Sequence, residues 1–247
     1  MSARAQRKTP RRSSNRIFRV LPLGDSAITI EFGNEIDPAI NSRVVAFAQA
    51  VADQYRQGIR DIVPTYRSVT IHFDPFLLDS AILVKRLKAL PRPESGKAES
   101  RGALHEIPVL YGGEWGPDLD EVAEFAGLQP AQAIALHAST PYRVYMLGFS
   151  PGFPYLGTVP DRLAMPRRST PRTKVPVGSV GIADRQTGIY PTATPGGWQL
   201  IGRTPISIYR KGSTNPFLLK PGDLVQFRSI DHREFNRLSY EDQHDYD

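Results

Sequence analysis

The sequence predicts an α+β protein in which a small N-terminal α/β sandwich domain is followed by a β-barrel domain. Two features of the 247 residues predict this class. Strands and helices alternate up to about residue 90, whereas residues 141–205 contain ten Pro and nine Gly, which nearly excludes helix there. Several short strands with frequent turns, as in that segment, are typical of a closed or nearly closed β structure.

Turn and capping residues predict the elements of the N-terminal domain. Residues 18–33 predict a strand, a turn at Gly24-Asp25 and an alternating strand over 27–32. Asp37-Pro38 predicts a helix start, with Asp as N-cap and Pro at the first helical position, and Gly58 predicts its end. Residues 68–73 alternate as a further strand. The pair Asp74-Pro75 repeats the helix-opening device and predicts a second helix.

The second half begins after a segment without apolar periodicity, 91–103, which we interpret as a linker. A strand is predicted over Leu104–Tyr111, two short helices over 118–126 and 131–138, and a last strand within 220–230. The predicted organisation is therefore a disordered basic tail (1–16), an N-terminal α/β domain (17–90), a linker (91–103), a β-barrel domain (104–230) and an acidic C-terminal tail (231–247).

The charge distribution argues against a nucleic-acid partner. The formal net charge is +6, and residues 1–16 contain six Lys or Arg and no acid, so the remaining chain is neutral. The chain contains no Cys, which suits a reducing compartment. No apolar run reaches the length of about 18–20 residues that spans a bilayer, and the basic start precedes no apolar signal segment. We expect a cytoplasmic protein without a membrane partner.

Gly148-Phe149-Ser150-Pro151-Gly152 matches the nucleophile elbow of α/β-hydrolases. That elbow needs a helix after the Ser and an N–H on the next residue for the oxyanion hole, but Pro151 has no N–H and Pro154 disfavours a helix. We predict a turn in which the Ser150 hydroxyl satisfies loop backbone groups, and no nucleophile.

Two other motifs receive a structural interpretation. Residues 116–140 resemble a helix-turn-helix but carry four acidic residues and no Lys or Arg, so a helical hairpin is favoured over a DNA reader. The five histidines lack the spacing of metal ligands, and we expect no metal bound by this chain alone.

The basic segment 141–205 is the remaining candidate site. It carries eight Lys or Arg against two Asp, and four of these cations fall within residues 167–174, between prolines and with no acid among them. Guanidinium groups bind carboxylate or phosphate through two parallel hydrogen bonds. Five aromatic residues lie nearby in the sequence, and we expect most of their rings in the core: Phe149, Phe153, Tyr155, Tyr190 and Trp198.

Four strings in this region resemble a known family, in order LGFSPGFPYLG, PRRSTPRTKVPVGSVGIA, QTGIYP and TPGGWQLIGRTP. They are close to the signature strings of the KipI/allophanate-hydrolase-subunit-1 family. The resemblance implies that the barrel is cyclophilin-like. It also implies two partners, a homologous C subunit (resembling allophanate hydrolase subunit 2) and an A subunit. Stand-alone bacterial members serve as the B subunit of an ATP-dependent 5-oxoprolinase, which opens 5-oxo-L-proline to L-glutamate.

Activation of a lactam by ATP requires cations for phosphate and carboxylates for Mg²⁺. Because segment 141–205 holds only two acids, we expect ATP and Mg²⁺ to be bound in the assembled complex, none by this chain alone, and the chain alone to be inactive. No catalytic residue is assigned. The candidate substrate- or anion-binding residues are Arg167, Arg168, Arg172 and Lys174 as cations, with Gln186, Tyr190, Trp198 and Gln199 as pocket groups.

Two other functions stay open from the sequence. One branch of the family inhibits a sensor histidine kinase, and fused members resemble the carboxyltransferase part of biotin-dependent urea carboxylase. A carboxyltransferase would need biotin on a partner, because none of the three Met residues is followed by the Lys of a biotin attachment site.

Overall fold

The structure is a computed structural model that describes residues 18–90 and 102–244. The predicted basic tail (1–16) and nearly all of the predicted linker lie outside these residues. Over the two described ranges, no helix is long and apolar enough to cross a membrane.

The N-terminal part is a four-stranded antiparallel sheet against which two helices pack. Its elements are β1 (Arg19–Leu23), β2 (Ala27–Glu31), α1 (Pro38–Gln54), β3 (Ile59–Pro64), β4 (Ser68–Phe73) and α2 (Ser80–Ala89). The strand order is β1-β2-β4-β3, so β1 and β3 are the edges. Buried residues at alternate positions of β2 and β4, among them Ile30, Val69 and Ile71, meet Phe47 and Val51 of α1 in one apolar core.

The predicted start of α1 is confirmed, because an Asp37 Oδ1 accepts a hydrogen bond from the Ile40 N–H at 2.8 Å. The predicted start of the second helix is wrong. Asp74 instead accepts the Phe76 N–H in a turn, and Asp79 is the residue that caps α2, accepting the N–H groups of Ala81 and Ile82. Asp79 immediately precedes the apolar residues of α2, so its carboxylate accepts the free N–H groups of the first turn. Asp74 lies too far before them to do so.

Seven strands of the second half form a closed barrel, in the order β10-β7-β6-β13-β5-β12-β9. Among the described barrel strands, only β5 and β13 pair in parallel. A two-stranded ribbon, β8 with β11, stands beside the barrel. The elements are β5 (Leu104–Tyr111), α3 (Leu119–Ala126), α4 (Pro130–Ala138), β6 (Tyr142–Leu147), β7 (Pro154–Gly157), β8 (Arg172–Val175), β9 (Ser179–Ala183), β10 (Gln186–Ile189), β11 (Thr194–Gly196), β12 (Gln199–Arg203), β13 (Leu224–Ser229) and α5 (His232–His244).

The two helices α3 and α4 form the predicted helical hairpin. Gly127 ends α3 in the left-handed region (φ 63°), and Pro130 begins α4. Their apolar side chains belong to the barrel core. The segment predicted only as an acidic tail contains α5, whose Phe235 packs on Trp115 with the ring centroids 4.7 Å apart. The predicted α+β class, with a closed barrel after a small sheet domain, is confirmed.

Asn41 of α1 joins the sheet to the barrel. It is fully buried, and its Nδ2 donates to the carbonyl oxygens of Thr65 and Tyr145, each at 3.0 Å. Its Oδ1 accepts from Arg143 Nε at 2.8 Å. A buried amide with every group satisfied fixes one geometry between its neighbours. Asn41 thereby holds the β3–β4 turn, which includes Tyr66, against the barrel.

Candidate functional site

A small cavity of about 230 Å³ opens beside the barrel, between the β6–β7 turn and residues 167–174, which run into β8 and which we call the basic loop. We call it the aromatic cavity. Among the described residues, its walls are mostly rings and prolines, with one cation: Phe149, Phe153, Tyr155, Arg167, Pro171, Tyr190, Pro195, Gly196, Gly197 and Trp198.

Phe153 is the centre of the aromatic wall. Its ring meets those of Tyr155, Tyr190 and Trp198 edge-to-face, with the centroids 5.0, 5.1 and 5.3 Å apart. Such T-shaped contacts hold rings rigidly, because the positive edge of one faces the negative face of the next. The sequence predicts that most of the five rings belong to the core and that Tyr190 and Trp198 are also pocket groups. Phe153, Tyr190 and Trp198 are buried, and the same rings line the cavity.

Phe149 stands at the mouth of the cavity. Its φ is 66°, a region that few residues other than glycine adopt, and the residue is 64% exposed. Its ring stays within 5.6 Å of Phe153. Phe149 also lines the neighbouring groove between α1, β3 and the barrel, an apolar opening of about 710 Å³. Backbone strain at an exposed ring between two cavities is typical of ligand-binding loops.

Arg167 is the cation of the aromatic cavity. Its side chain is 59% exposed, and its ion pair is to Asp184, at 4.0 Å and itself 67% exposed. Burial raises the pKa of the Tyr155 and Tyr190 hydroxyls, and the positive charge of Arg167 opposes that shift. Both phenols are therefore neutral hydrogen-bonding groups at physiological pH. The cavity offers one weakly paired guanidinium and neutral polar groups in an otherwise apolar wall.

Arg168 and Arg172 point to a different partner. Both donate to Oδ1 of Asp118, at 3.1 and 2.6 Å, and the Leu200 N–H donates to its Oδ2 at 2.6 Å. The Asp118 side chain is only 3% exposed. No acid lies among residues 167–174 in the sequence, but Asp118, which precedes Arg168 and Arg172 by 50 and 54 residues, lies against both in the structure. They fasten the basic loop to the barrel.

The other predicted residues are dispersed. Gln199 donates to the Pro166 carbonyl at 2.9 Å and so holds the start of the basic loop. Lys174 is exposed on β8. Gln186 donates to the Tyr66 hydroxyl, which reaches over from the N-terminal sheet. Of the eight predicted site residues, the cavity brings together three: Arg167, Tyr190 and Trp198.

Two residues that the sequence did not indicate complete this region. Asp118 is the anchor of the basic loop. Tyr66 packs against Tyr155, with centroids 5.9 Å apart, and burial raises its pKa to about 12. No local signal pointed to Asp118, which precedes a helix and resembles an ordinary N-cap.

Residues 148–153 form a turn, as predicted, and the described chain enters a strand and not a helix after it. The expectation that the Ser150 hydroxyl satisfies loop backbone is wrong. Its Oγ is buried without a hydrogen-bond partner in the part of the chain that the structure describes. Within that part, Ser150 therefore has no base to accept its proton.

The chemistry available at the aromatic cavity is binding. Among the described residues, no Asp, Glu or His lines it, so it offers no carboxylate or imidazole for general acid–base catalysis.

Comparisons with known proteins agree with this architecture. The family model for the carboxyltransferase domain, subdomain C and D, matches residues 18–219. The chain is 40% identical to the 5-oxoprolinase B subunit of Bacillus subtilis over 242 residues, which are 91% of this chain and 98% of that protein.

Solved structures extend the comparison. The crystal structure of TTHA0988 matches with a TM-score of 0.75 at 40% identity and covers 83% of this chain, which spans only 40% of that protein. The urea amidolyase of Kluyveromyces lactis matches with a TM-score of 0.71 at 23% identity, over 91% of this chain and 15% of that one. At this identity, the likeness shows a shared fold.

Proposed function

This chain belongs to the family of the carboxyltransferase domain, subdomain C and D, and from that premise we propose that it is the B subunit of an ATP-dependent 5-oxoprolinase. The enzyme would open the lactam of 5-oxo-L-proline to give L-glutamate. One observation carries the proposal: 40% identity that extends over 98% of a protein named as the B subunit of 5-oxoprolinase. The family membership predicted from the four sequence strings is thereby confirmed.

The two alternatives have weaker support. The likeness to urea amidolyase is at 23% identity and concerns the fold. A carboxyltransferase would also need biotin on another protein. No contact in the described structure favours an inhibitor of a histidine kinase. We therefore propose no second function.

ATP and Mg²⁺ are part of the proposal at the level of the complex. Among residues 18–90 and 102–244, no group of three or more His, Asp or Glu side chains is arranged to hold a metal ion. Mg²⁺ prefers carboxylate oxygens together with those of the substrate phosphates. We propose that the companion A and C subunits supply the groups that hold Mg²⁺-ATP, that the chain alone is inactive, and that the complex is cytoplasmic.

Reconstitution tests this function. The purified chain should show no 5-oxoproline-dependent ATP hydrolysis, whereas the chain mixed with its two companion subunits should release phosphate and glutamate in equal amounts. Omission of this chain from the mixture is the control and should abolish turnover. Turnover without this chain would contradict the proposal. Urea- and biotin-dependent carboxylation by the mixture, without 5-oxoproline turnover, would establish the carboxyltransferase alternative.

A further inference from the structure

We propose that the aromatic cavity is the binding site for the 5-oxoproline ring, with the carboxylate of the substrate on Arg167. This inference rests on the proposed function and assigns its substrate to one place in the chain. The juxtaposition that carries it is a rigid cup of aromatic rings with one weakly paired guanidinium at its rim.

The size of the cavity selects the ligand class. Sites for drug-sized ligands and cofactors range from about 300 to 1,000 Å³. At about 230 Å³, the aromatic cavity lies below that range, so it has room for one small ring and is too small to enclose a whole nucleotide. Its walls cannot widen cheaply, because Phe153, Tyr190 and Trp198 are 1%, 1% and 5% exposed and packed edge-to-face.

The charge of the cavity selects an anion. Arg167 can present its planar fork to a carboxylate, because its contact with Asp184 is long and exposed at both ends, and such surface pairs are weak. Arg168 and Arg172 are not available in the same way, since each is held by Asp118. The site thus matches a monovalent anion with a compact, flat body, which describes 5-oxoproline.

The Tyr190 hydroxyl supports the wall of the cavity. It lies beside Gly196, and the backbone of Trp198 is hydrogen-bonded to it. Because Tyr190 is only 1% exposed, this hydroxyl fixes the shape of the wall and does not contact a ligand. Binding against such a wall positions the lactam ring and leaves its activation to groups of the other subunits.

Arg167 could instead receive a phosphate of ATP, and the experiment separates these sources. Binding to the purified chain is measured by the fluorescence of Trp198 in a Trp115→Phe background, because the sequence contains only two Trp and Trp115 packs elsewhere, on Phe235. The probes are 5-oxo-L-proline, 2-pyrrolidinone (the same ring without the carboxylate), inorganic phosphate and ATP. The variants are Arg167→Gln and, as a charge-matched control, Arg185→Gln, whose side chain is 64% exposed and pairs with Asp161.

We expect 5-oxoproline to bind Arg167→Gln about 10- to 100-fold more weakly than wild type, the usual loss for one charge-assisted contact. Binding of 2-pyrrolidinone should be the same in both, and Arg185→Gln should match wild type for every probe. In the assembled enzyme, Arg167→Gln should raise KM for 5-oxoproline by a similar factor with kcat nearly unchanged.

Gly196→Ala tests the shape of the site separately. A Cβ at this position would lie 2.4 Å from the Tyr190 hydroxyl and 2.9 Å from its ring, so the ring or the backbone at position 196 must shift, and both line the cavity. We expect both 5-oxoproline and 2-pyrrolidinone to lose binding in this variant, in contrast to Arg167→Gln.

Two results would overturn the site. One is an assembled Arg167→Gln enzyme with a KM for 5-oxoproline within twofold of wild type, which would leave the proposed function intact. The other is phosphate or ATP quenching Trp198 more strongly than 5-oxoproline does. If the reconstituted complex lacks 5-oxoproline turnover altogether, the proposed function fails, and the binding assay on the chain alone still decides the ligand of the cavity.

Discussion

The basic loop, residues 167–174, has two kinds of cation, and the difference between them separates structure from binding. Arg168 and Arg172 point inward and share the buried carboxylate of Asp118. Arg167, their neighbour in sequence, points to the aromatic cavity and has a long, exposed contact with Asp184. Charge density along the sequence is the same for all three. What differs is whether a distant acid already neutralises the guanidinium.

Arg168 and Arg172 form an ion network with Asp118, and disruption of such a buried network strongly lowers the free energy of unfolding. Removing one member of a buried charge cluster leaves the others without compensation. Arg167 is solvated, so its removal should change the free energy of unfolding only slightly. The comparison therefore predicts a ranking of stability effects along one short loop.

Asp118→Ala should have the largest effect. It leaves Arg168 and Arg172 without their carboxylate and the Leu200 N–H without an acceptor. We expect the free energy of unfolding to fall by about 3–5 kcal/mol, measured by urea denaturation. Asp161→Ala is the matched control, because its pair with Arg185 is exposed, and it should change stability by less than about 0.5 kcal/mol. A loss below about 1 kcal/mol in Asp118→Ala would show that the network does not hold the loop.

Arg172→Gln should have the next largest effect. Its 2.6 Å contact with Asp118 is a charge-assisted hydrogen bond, and its side chain is 22% exposed. We expect a loss of about 1.5–3 kcal/mol in the free energy of unfolding. In a double-mutant cycle, Asp118→Ala and Arg172→Gln should be strongly non-additive. Additive losses would mean that the two residues stabilise the fold independently.

His137 contrasts with the charged cluster around Asp118, because it is a buried polar side chain that stays neutral. Thr187 Oγ1 donates to the Gly181 carbonyl, so it accepts from His137 Nε2–H at 3.0 Å, and Nδ1 accepts from the Tyr111 hydroxyl at 2.8 Å. No opposite charge takes part in these contacts, and burial lowers the pKa of His137 to about 3.

The sign of the resulting pH dependence follows from that shift. Above about pH 6.5, the His137 ring is neutral in both the folded and the unfolded chain. As the pH falls below that value, His137 becomes protonated in the unfolded chain but stays neutral in the folded chain. The free energy of unfolding therefore declines until about pH 3. The decline approaches about 1.4 kcal/mol per pH unit. His137→Gln should be less stable at neutral pH and should show a shallower decline between about pH 6.5 and 5. An unchanged slope would contradict this account of His137.

Arg167→Gln should have the smallest effect on stability. Because its side chain is exposed, we expect a change of less than about 0.5 kcal/mol in the free energy of unfolding. The same urea denaturation measures it, with Lys174→Gln, another exposed cation of the loop, as the reference. A loss as large as that of Arg172→Gln would mean that Arg167 also has a structural role.

Local features of the fold could be predicted from the sequence, and contacts between distant segments could not. Asp37-Pro38 correctly predicted the start of α1, and Gly127 with Pro130 the α3–α4 turn. The similar pair Asp74-Pro75 failed, since Asp79 lay nearer to the apolar stripe of α2. Nothing local predicted that β13 would pair in parallel with β5, more than a hundred residues earlier.

The same division applies to the site. The aromatic residues and Arg167 could be found because they all lie within segment 141–205, which its Pro, Gly and cation content sets apart. Asp118 and Tyr66 could not, because each reaches the site from another element through the closure of the barrel or the packing of the sheet on it. The closure also gives Arg168 and Arg172 an intramolecular partner, Asp118, which the sequence did not indicate.

The central claim is that Arg167 binds the substrate whereas Arg172 supports the loop. The most direct test compares Arg167→Gln with Arg172→Gln in the reconstituted enzyme, at a temperature where both variants are fully folded. The quantity to measure is KM for 5-oxoproline. We predict a rise of about 10- to 100-fold for Arg167→Gln, the loss of one charge-assisted contact, and less than about threefold for Arg172→Gln. A larger rise for Arg172→Gln, or no rise for Arg167→Gln, would contradict this division.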